Sequence, residues 1–420
     1  MKLNLPDNLL RFIKETENEL NAPFDHIANI ALKNQSKMLD AFQEAKVRSY
    51  HFQNSTGYGY HDLGRETLEK IFSRVFGAES ALVRQQLVSG THAIACALLG
   101  NLHHHDELVL ASGQPYETLL GVLGISGTDF ESTSETGGFH VKMVPLTNDG
   151  SLDLSNILSA ISNRTKIVAF QRSCGYSERH SFSIHELEKV FTAIKTKFPE
   201  IIIFVDNCYG EFVEEKEPTE VGADLIAGSL IKNPGGCLIP SGGYIVGKEK
   251  CVIKAAERLY APKIGGEIGP SLLNLQIFFQ GFFEAPHRVG EMVKSAVLAS
   301  CMFHKLGFRV NPLPEETRTD IIQRVYFETA ESLIDFCQEV QKSSPVESDV
   351  RPEPAELPGY IHRVIMGGGT FIAGATSEFS VDAPLKPPYL AYLQGGISYT
   401  QVKLSLARIF MNKFAQNGLF

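Results

Sequence analysis

The stretches IIIFVDNCYG (201–210) and GADLIAGSLIKNPGG (222–236) decide how this chain is read. Each is an apolar run of strand length that leads to a chemically distinctive residue, the first to Asp206 and the second to Lys232. Strands that are apolar throughout belong to sheets covered on both faces, and open α/β sheets bind ligands beyond the carboxyl ends of their strands. Two neighbouring strands therefore deliver a carboxylate and an amine to one sheet edge. Alone, neither residue says much, because most lysines are solvated and a strand-end aspartate is often a turn acid. Ser229, placed three residues before Lys232, and the Pro-Gly-Gly stop behind it give the lysine a defined setting.

Composition frames this core. With 420 residues, 43% of them hydrophobic, the chain can bury a large interior and divides into at least two domains. A net charge of −9 argues against nucleic acid or an acidic membrane surface as partner and favours a small molecule. The start, MKLNLPDNLLRFIKETENEL, has helical patterning and lacks a signal-peptide apolar region. No run reaches the roughly 18 apolar residues of a membrane span. The seven cysteines are scattered without a CxxC pair, so they read as reduced thiols of a cytoplasmic protein. No metal is expected: His103–His105 with Asp106 form a polar loop, since three consecutive histidines cannot face one ion on regular backbone.

Outward from the two strands, the pattern alternates. Residues 7–46 and 62–76 read as helical, then a strand at 81–83, a helix from Thr91, and strands LVLAS, KMVPL, KIVAF, IIIFVD and ADLIAG separated by helices. This predicts a mainly parallel sheet covered on both faces, closed by GGYIVG (242–247) as an antiparallel strand. A helix near 284–306 leads to a smaller α/β unit with strands in HKLGFRVNPL, DIIQRVYF, IHRVIM and GTFIAGAT and helices at 330–342 and 398–414. The segment SSPVESDVRPEPAELPGY (343–360) reads as a surface loop.

Three further features join Asp206 and Lys232. In QQLVSGTHAIACALLG (85–100), Ser89, Gly90 and Thr91 open an apolar helix. Its first N–H groups lack internal partners and carry the positive end of the helix dipole, so a phosphate is favoured there, and Gly90 permits close approach. An isolated Ser-Gly-Thr would ordinarily be only a cap. Ser229 is placed to donate to the same phosphate. In ASGQPYETLLG (111–121), Tyr116 follows a strand end and a turn and can stack on a ring between these groups. A phosphate seat, a strand-end acid and an amine together suit pyridoxal 5′-phosphate (PLP). Asp206 would pair with the ring nitrogen and Lys232 would form the Schiff base, with partial burial and the pyridinium charge lowering its pKa.

In order and spacing these motifs resemble the fold-type-I PLP enzymes of cysteine and methionine metabolism, the cystathionine lyases and methionine γ-lyase. Within them the chain is most similar to the bacterial methionine-γ-lyase-like group labelled aluminium-resistance proteins. The resemblance runs from residue 50 to 410 and rests on LVSGTHAI, QPYETL, VDNCYG and GADLIAGSLIKN. It implies a PLP-dependent transferase (aspartate aminotransferase-like) fold, with an N-terminal helical segment and intersubunit loop (1–60), a PLP-binding large domain (61–280) and a small C-terminal domain (281–420). It also implies a homotetramer, a dimer of dimers with sites shared between subunits. In NSTGYGYHDLGRE (54–66), Tyr58 and Tyr60 correspond to tyrosine offered to a neighbour's phosphate, and the arginine of that pattern is displaced to Arg65. The C-terminal arginine that grips the substrate carboxylate is replaced in VKLSLAR by Lys403, with Arg408 further on. In QRSCGYS (171–177), Ser173 stands where the family has a serine beside the substrate.

The resemblance thus implies a PLP-dependent carbon–sulfur lyase of cystathionine β-lyase or methionine γ-lyase type, acting on a small sulfur amino acid with Lys232, Asp206 and Tyr116 as its catalytic groups. An aminotransferase or a retro-aldol enzyme would use the same Asp–Lys pair. A PLP-binding protein without turnover is the reading from another class.

Overall fold

The apolar runs around Asp206 and Lys232 become the centre of an eight-stranded sheet in a computed structural model, which describes residues 5–413 except 59, 126–130, 136, 273 and 358–359. Its strands are β1 (Ser80–Arg84), β2 (Glu107–Leu110), β3 (Glu131–Thr133), β4 (His140–Met143), β5 (Thr165–Gln171), β6 (Ile202–Asp206), β7 (Leu225–Ser229) and β8 (Gly243–Gly247). They are ordered β1-β8-β7-β6-β5-β2-β4-β3. From β7 to β4 the neighbours run parallel. β8, the expected closing strand, is antiparallel to both β7 and β1. The register pairs Asp206 with Ala227, so the ends of β6 and β7 lie side by side.

The helices are α1 (Asp7–Glu19), α2 (Asn21–Glu44), α3 (Leu63–Val75), α4 (Gly90–Asn101), α5 (Glu117–Leu123), α6 (Leu154–Ala160), α7 (Ile184–Lys197), α8 (Glu249–Leu259), α9 (Leu275–Lys305), α10 (Ala330–Lys342) and α11 (Tyr399–Lys413). Strand side chains alternate between two cores, as the period of two demands. Ile203, Val205 and Ile226 enter one with α3, α7 and α9. Ile202, Phe204, Leu225 and Ala227 enter the other with α4 and α8. Coverage on both faces explains why these strands are apolar without interruption.

The second sheet is antiparallel and contains β9 (Val310–Asn311), β10 (Gln323–Phe327), β11 (Val364–Gly367), β12 (Ser380–Pro384) and β13 (Tyr389–Gln394). Here the expectation needs correction. The GTFIAGAT segment (369–376) forms turns, not a strand, with Gly368 and Gly374 at φ +151° and +75°. Its place is taken by β12 and β13. In HKLGFRVNPL only Val310–Asn311 is strand, because His304 and Lys305 complete α9. That helix begins at Leu275 and runs through Pro286. Residue 414, expected at the end of the last helix, lies outside the described residues.

Helix α9 matters for the site because it supports the turn behind Lys232. Gly236, at φ +57°, and Gly281 of α9 meet backbone to backbone. A Cβ on Gly281 would lie 2.5 Å from the Gly235 carbonyl oxygen, too close for either segment to stay in place. We expect Gly281→Ala to lower stability by about 1–3 kcal/mol, measured as a reduced urea midpoint. An unchanged midpoint would show that this contact is not a close one.

Candidate active site

The end of β1 leads to Ser89, which caps α4 by accepting the His92 N–H at 3.1 Å. This leaves the N–H groups of Gly90 and Thr91 free of helical partners at the mouth of a cavity of about 460 Å³. Ser89, Gly90 and Thr91 line one end of it, together with Ser229 at the end of β7. A Cβ on Gly90 would stand 3.1 Å from the Ser229 Cβ and 3.5 Å from the Cys208 Sγ, so the start of α4 packs closely on the ends of β6 and β7. Tyr116, the residue preceding α5, donates its hydroxyl to Thr91 Oγ1 at 3.3 Å, and its N–H is held by Gln171 Oε1 at 3.1 Å.

Asp206 and Lys232 line the same cavity. Asp206 is buried and accepts the Cys208 N–H at 3.1 Å. Burial lifts its carboxyl above the ordinary range, against the pull of the Lys232 ammonium and the Cys208 amide. Lys232 is half-buried, with Nζ 4.0 Å from the centroid of the Tyr209 ring. Its pKa departs from expectation. Burial acts to lower it, but Cys208, Tyr209, Asp206 and Tyr116 outweigh burial and hold the ammonium well above its ordinary value. The physical reason is that the chain places the acid Asp206 near this amine, whereas the expectation counted a pyridinium cation. Burial first, and then Asp206, raises the Tyr116 hydroxyl, so it stays protonated near neutral pH.

An amine, a buried acid and an anion seat at a helix start thus share one cavity, an arrangement suited to a phosphate-bearing cofactor with an aldehyde and a basic ring nitrogen. The methionine gamma-lyase family model matches residues 9–414. The chain belongs to that family. The Bacillus subtilis protein YnbB, named as uncharacterized, is 47% identical over 389 residues, covering 93% of this chain and 92% of YnbB. A crystal structure from Clostridium novyi, named as a carbon–sulfur lyase involved in aluminium resistance, is 41% identical, covers 97% of this chain and 96% of its own, and superposes with a TM-score of 0.91. At 13% identity the PLP-dependent Escherichia coli protein YhfS covers 93% of this chain and 97% of its own with a TM-score of 0.61, which shows a shared fold.

Several residues expected from the family pattern do not reach the cavity. The VKLSLAR segment lies within α11, and Lys403 Nζ contacts both Glu17 carboxylate oxygens at 2.7 and 2.9 Å, bridging α11 to α1. Arg408 is exposed on the same helix. Neither lines the cavity, so the carboxylate-clamp expectation for both is corrected. Arg65 is buried, donating to the Gly269 and Glu267 carbonyls at 3.0 and 3.1 Å, which leaves it no surface from which to reach a neighbouring subunit. Tyr58 and Tyr60 also lie outside the cavity and are 81% and 57% exposed. Ser173 does line the cavity, yet its hydroxyl donates to Asp320 at 2.8 Å.

Other residues are at the site without having been singled out. Tyr209 takes φ +72°, rare for a non-glycine residue, and this turn in the β6 exit lays its ring against Lys232. It stands inside the VDNCYG motif, but nothing in its letter reveals the left-handed backbone. Gln171, at the end of β5, fixes Tyr116 with Oε1 and donates Nε2 to the Ser173 carbonyl at 3.0 Å. Tyr176, Tyr360, His362 and Lys386 also line the cavity. Among the described residues, no three His, Cys, Asp or Glu side chains converge to hold a metal ion.

Beneath the site, Glu211 is buried and its carbonyl accepts Asn233 Nδ2 at 3.1 Å, tying the turn behind Lys232 to the loop after β6. Its Oε1 accepts the Tyr244 hydroxyl at 2.6 Å, and burial pushes its carboxyl up to about 8. A folded value above the ordinary 4.5 means that the stability contributed by the protonated acid is full below that pH and is lost as pH rises through about 8. Glu211→Gln removes this loss. Relative to wild type, its urea midpoint should change little at pH 5 and rise progressively toward pH 8, reaching a gain on the order of 1–3 kcal/mol. A difference independent of pH would contradict the buried-acid assignment.

Proposed function

We propose that the protein is a PLP-dependent carbon–sulfur lyase that releases thiol, keto acid and ammonia from a sulfur amino acid. The observation that carries this reading is the convergence of Lys232, Asp206 and the start of α4 on one cavity in a chain of the methionine gamma-lyase family. The donor set fits the cofactor. The Gly90 and Thr91 N–H groups with the Ser89, Thr91 and Ser229 hydroxyls would hold its phosphate, Asp206 its ring nitrogen, Lys232 its aldehyde carbon, and Tyr116 the ring face. When bound, PLP supplies an electron sink for charge developing at the substrate α-carbon.

The chain's own residues supply the rest. Asp206, recessed from water, would keep a proton on the ring nitrogen. Lys232 would take the α-proton as general base. Tyr116, protonated and held by Thr91 and Gln171, would pass a proton to the departing sulfur. A β-elimination needs one such proton abstraction, and a γ-elimination needs further shuttling by the same two groups. The fold on this reading is the aspartate aminotransferase-like arrangement, with the cofactor domain at 61–280 and the small domain at 281–420. Exposed Tyr58 and Tyr60 are offered to a neighbouring subunit of a homotetramer. The enzyme would reside in the cytoplasm, where its seven free thiols stay reduced.

Incubating the purified protein with methionine, cystathionine, cysteine and homocysteine tests the reaction. Thiol, keto acid and ammonia should appear together with at least one of them. Strict dependence on an added keto acid would mark an aminotransferase instead, and cofactor binding without product would mark a non-catalytic binder. Lys232→Ala should abolish the visible absorbance that the bound cofactor acquires and reduce turnover by about 10²–10⁴-fold or more. Retention of the wild-type band would remove Lys232 from the assignment.

A further inference from the structure

We propose that Lys386 is the residue that binds the substrate's α-carboxylate, an inference that rests on the amino-acid lyase reading above. The helix-borne cations expected for this task are elsewhere: Lys403 is paired with Glu17, and Arg408 is outside the cavity. Among the described lining residues, Lys232 and Lys386 are the only lysines or arginines. Lys232 has its own role beside Asp206. Lys386 is therefore the fixed cation available to a second anionic group.

Its position suits the task. Lys386 sits in the connection between β12 and β13 and lines the same cavity as Ser89–Thr91. The backbone there is anchored, with the Lys386 N–H donating to the Pro384 carbonyl at 2.9 Å and the Leu385 N–H to the Arg363 carbonyl at 2.9 Å. The side chain is half-buried, and its ammonium makes no hydrogen bond or ion pair among the described residues. The nearby acids are engaged by other groups. Glu117 Oε2 accepts the Ile361 N–H at 2.8 Å. Asp382 is buried and accepts the Tyr176 hydroxyl at 2.8 Å and Gln394 Nε2 at 2.9 Å. The cavity thus holds, besides Lys232, an ammonium without a partner among the described residues, together with the Tyr176 and Tyr360 rings, chemistry that takes a carboxylate together with an apolar side chain.

The test compares two ligands that differ only in the carboxylate. L-norleucine and n-pentylamine share the amine and the alkyl chain, and neither has a leaving group, so their binding does not depend on elimination. Each is titrated into the holoenzyme and followed by the change in cofactor absorbance. Wild type should bind norleucine more tightly than pentylamine. Lys386→Met should weaken norleucine by roughly tenfold or more and leave pentylamine within about twofold, as expected for loss of one charged hydrogen bond. Lys386→Arg should keep the preference. The proposal is overturned when Lys386→Met affects both ligands equally or neither, or when His362→Gln alone removes the norleucine preference. Failure of the lyase reading would look different, with norleucine binding intact and no thiol released from any sulfur amino acid.

Discussion

Keeping the ammonium of Lys232 in one cavity with a buried carboxylate is the constraint on which the rest of the site depends. A cation drawn from water into a cavity wall is unfavourable unless negative charge and polarisable groups replace its solvation. Asp206 supplies the charge and the Tyr209 ring supplies the face. Both lie on the exit of β6, while Lys232 lies on the exit of β7. The attraction therefore works only because the parallel register brings Asp206 level with Ala227. Much of the sheet's uninterrupted apolar packing serves to fix that register, since a slip of one residue would turn every side chain to the wrong face.

The same constraint explains the crowding behind Lys232. On the proposed reading, Lys232 needs freedom in its side chain and none in its backbone. The backbone is fixed by Asn233 on the Glu211 carbonyl and by the glycine contact between the turn and α9. The hydrogen bonds close to Lys232 thus hold its main chain, and the amine is left to electrostatics.

What could be read from the sequence follows from the range of the interactions involved. Asp206, Lys232, Ser89–Thr91 and Tyr116 were legible because each is announced by a local transition, a strand ending or a helix beginning, and the cavity gathers all of them. Tyr209 was not, because its role depends on a left-handed backbone that no letter marks. Tyr176 was not, because its hydroxyl is held by Asp382 of β12, far away in sequence; Tyr360 and Lys386 were not, because they come to the cavity from the connections beside β11 and β12 of the second sheet. There β12, reading SVDAP, carries a buried aspartate at Asp382 and a terminal proline, while the more apolar GTFIAGAT is broken by glycines. Strand propensity alone ranks these two segments in the wrong order, and tertiary burial decides between them.

Lys403 shows how a motif can match in letters and miss in space. In VKLSLAR the cation stands where a carboxylate-gripping arginine was expected, yet the segment is helical and the same side chain joins α11 to α1 through Glu17. Once that cation serves packing, an amino-acid site still needs a positive charge at its far end, because an α-carboxylate entering unpaired would lose its hydration without replacement. The β12–β13 connection is the element of the second sheet that brings an unengaged ammonium to the cavity. A lysine there offers a point charge in place of the planar fork of an arginine, so orientation of the substrate must come more from its amine at Lys232 and from the tyrosine walls than from the carboxylate end. On the proposed reading such a site would tolerate variation in how the carboxylate lies and be strict about where the α-carbon sits, because the α-carbon is where Lys232 would act.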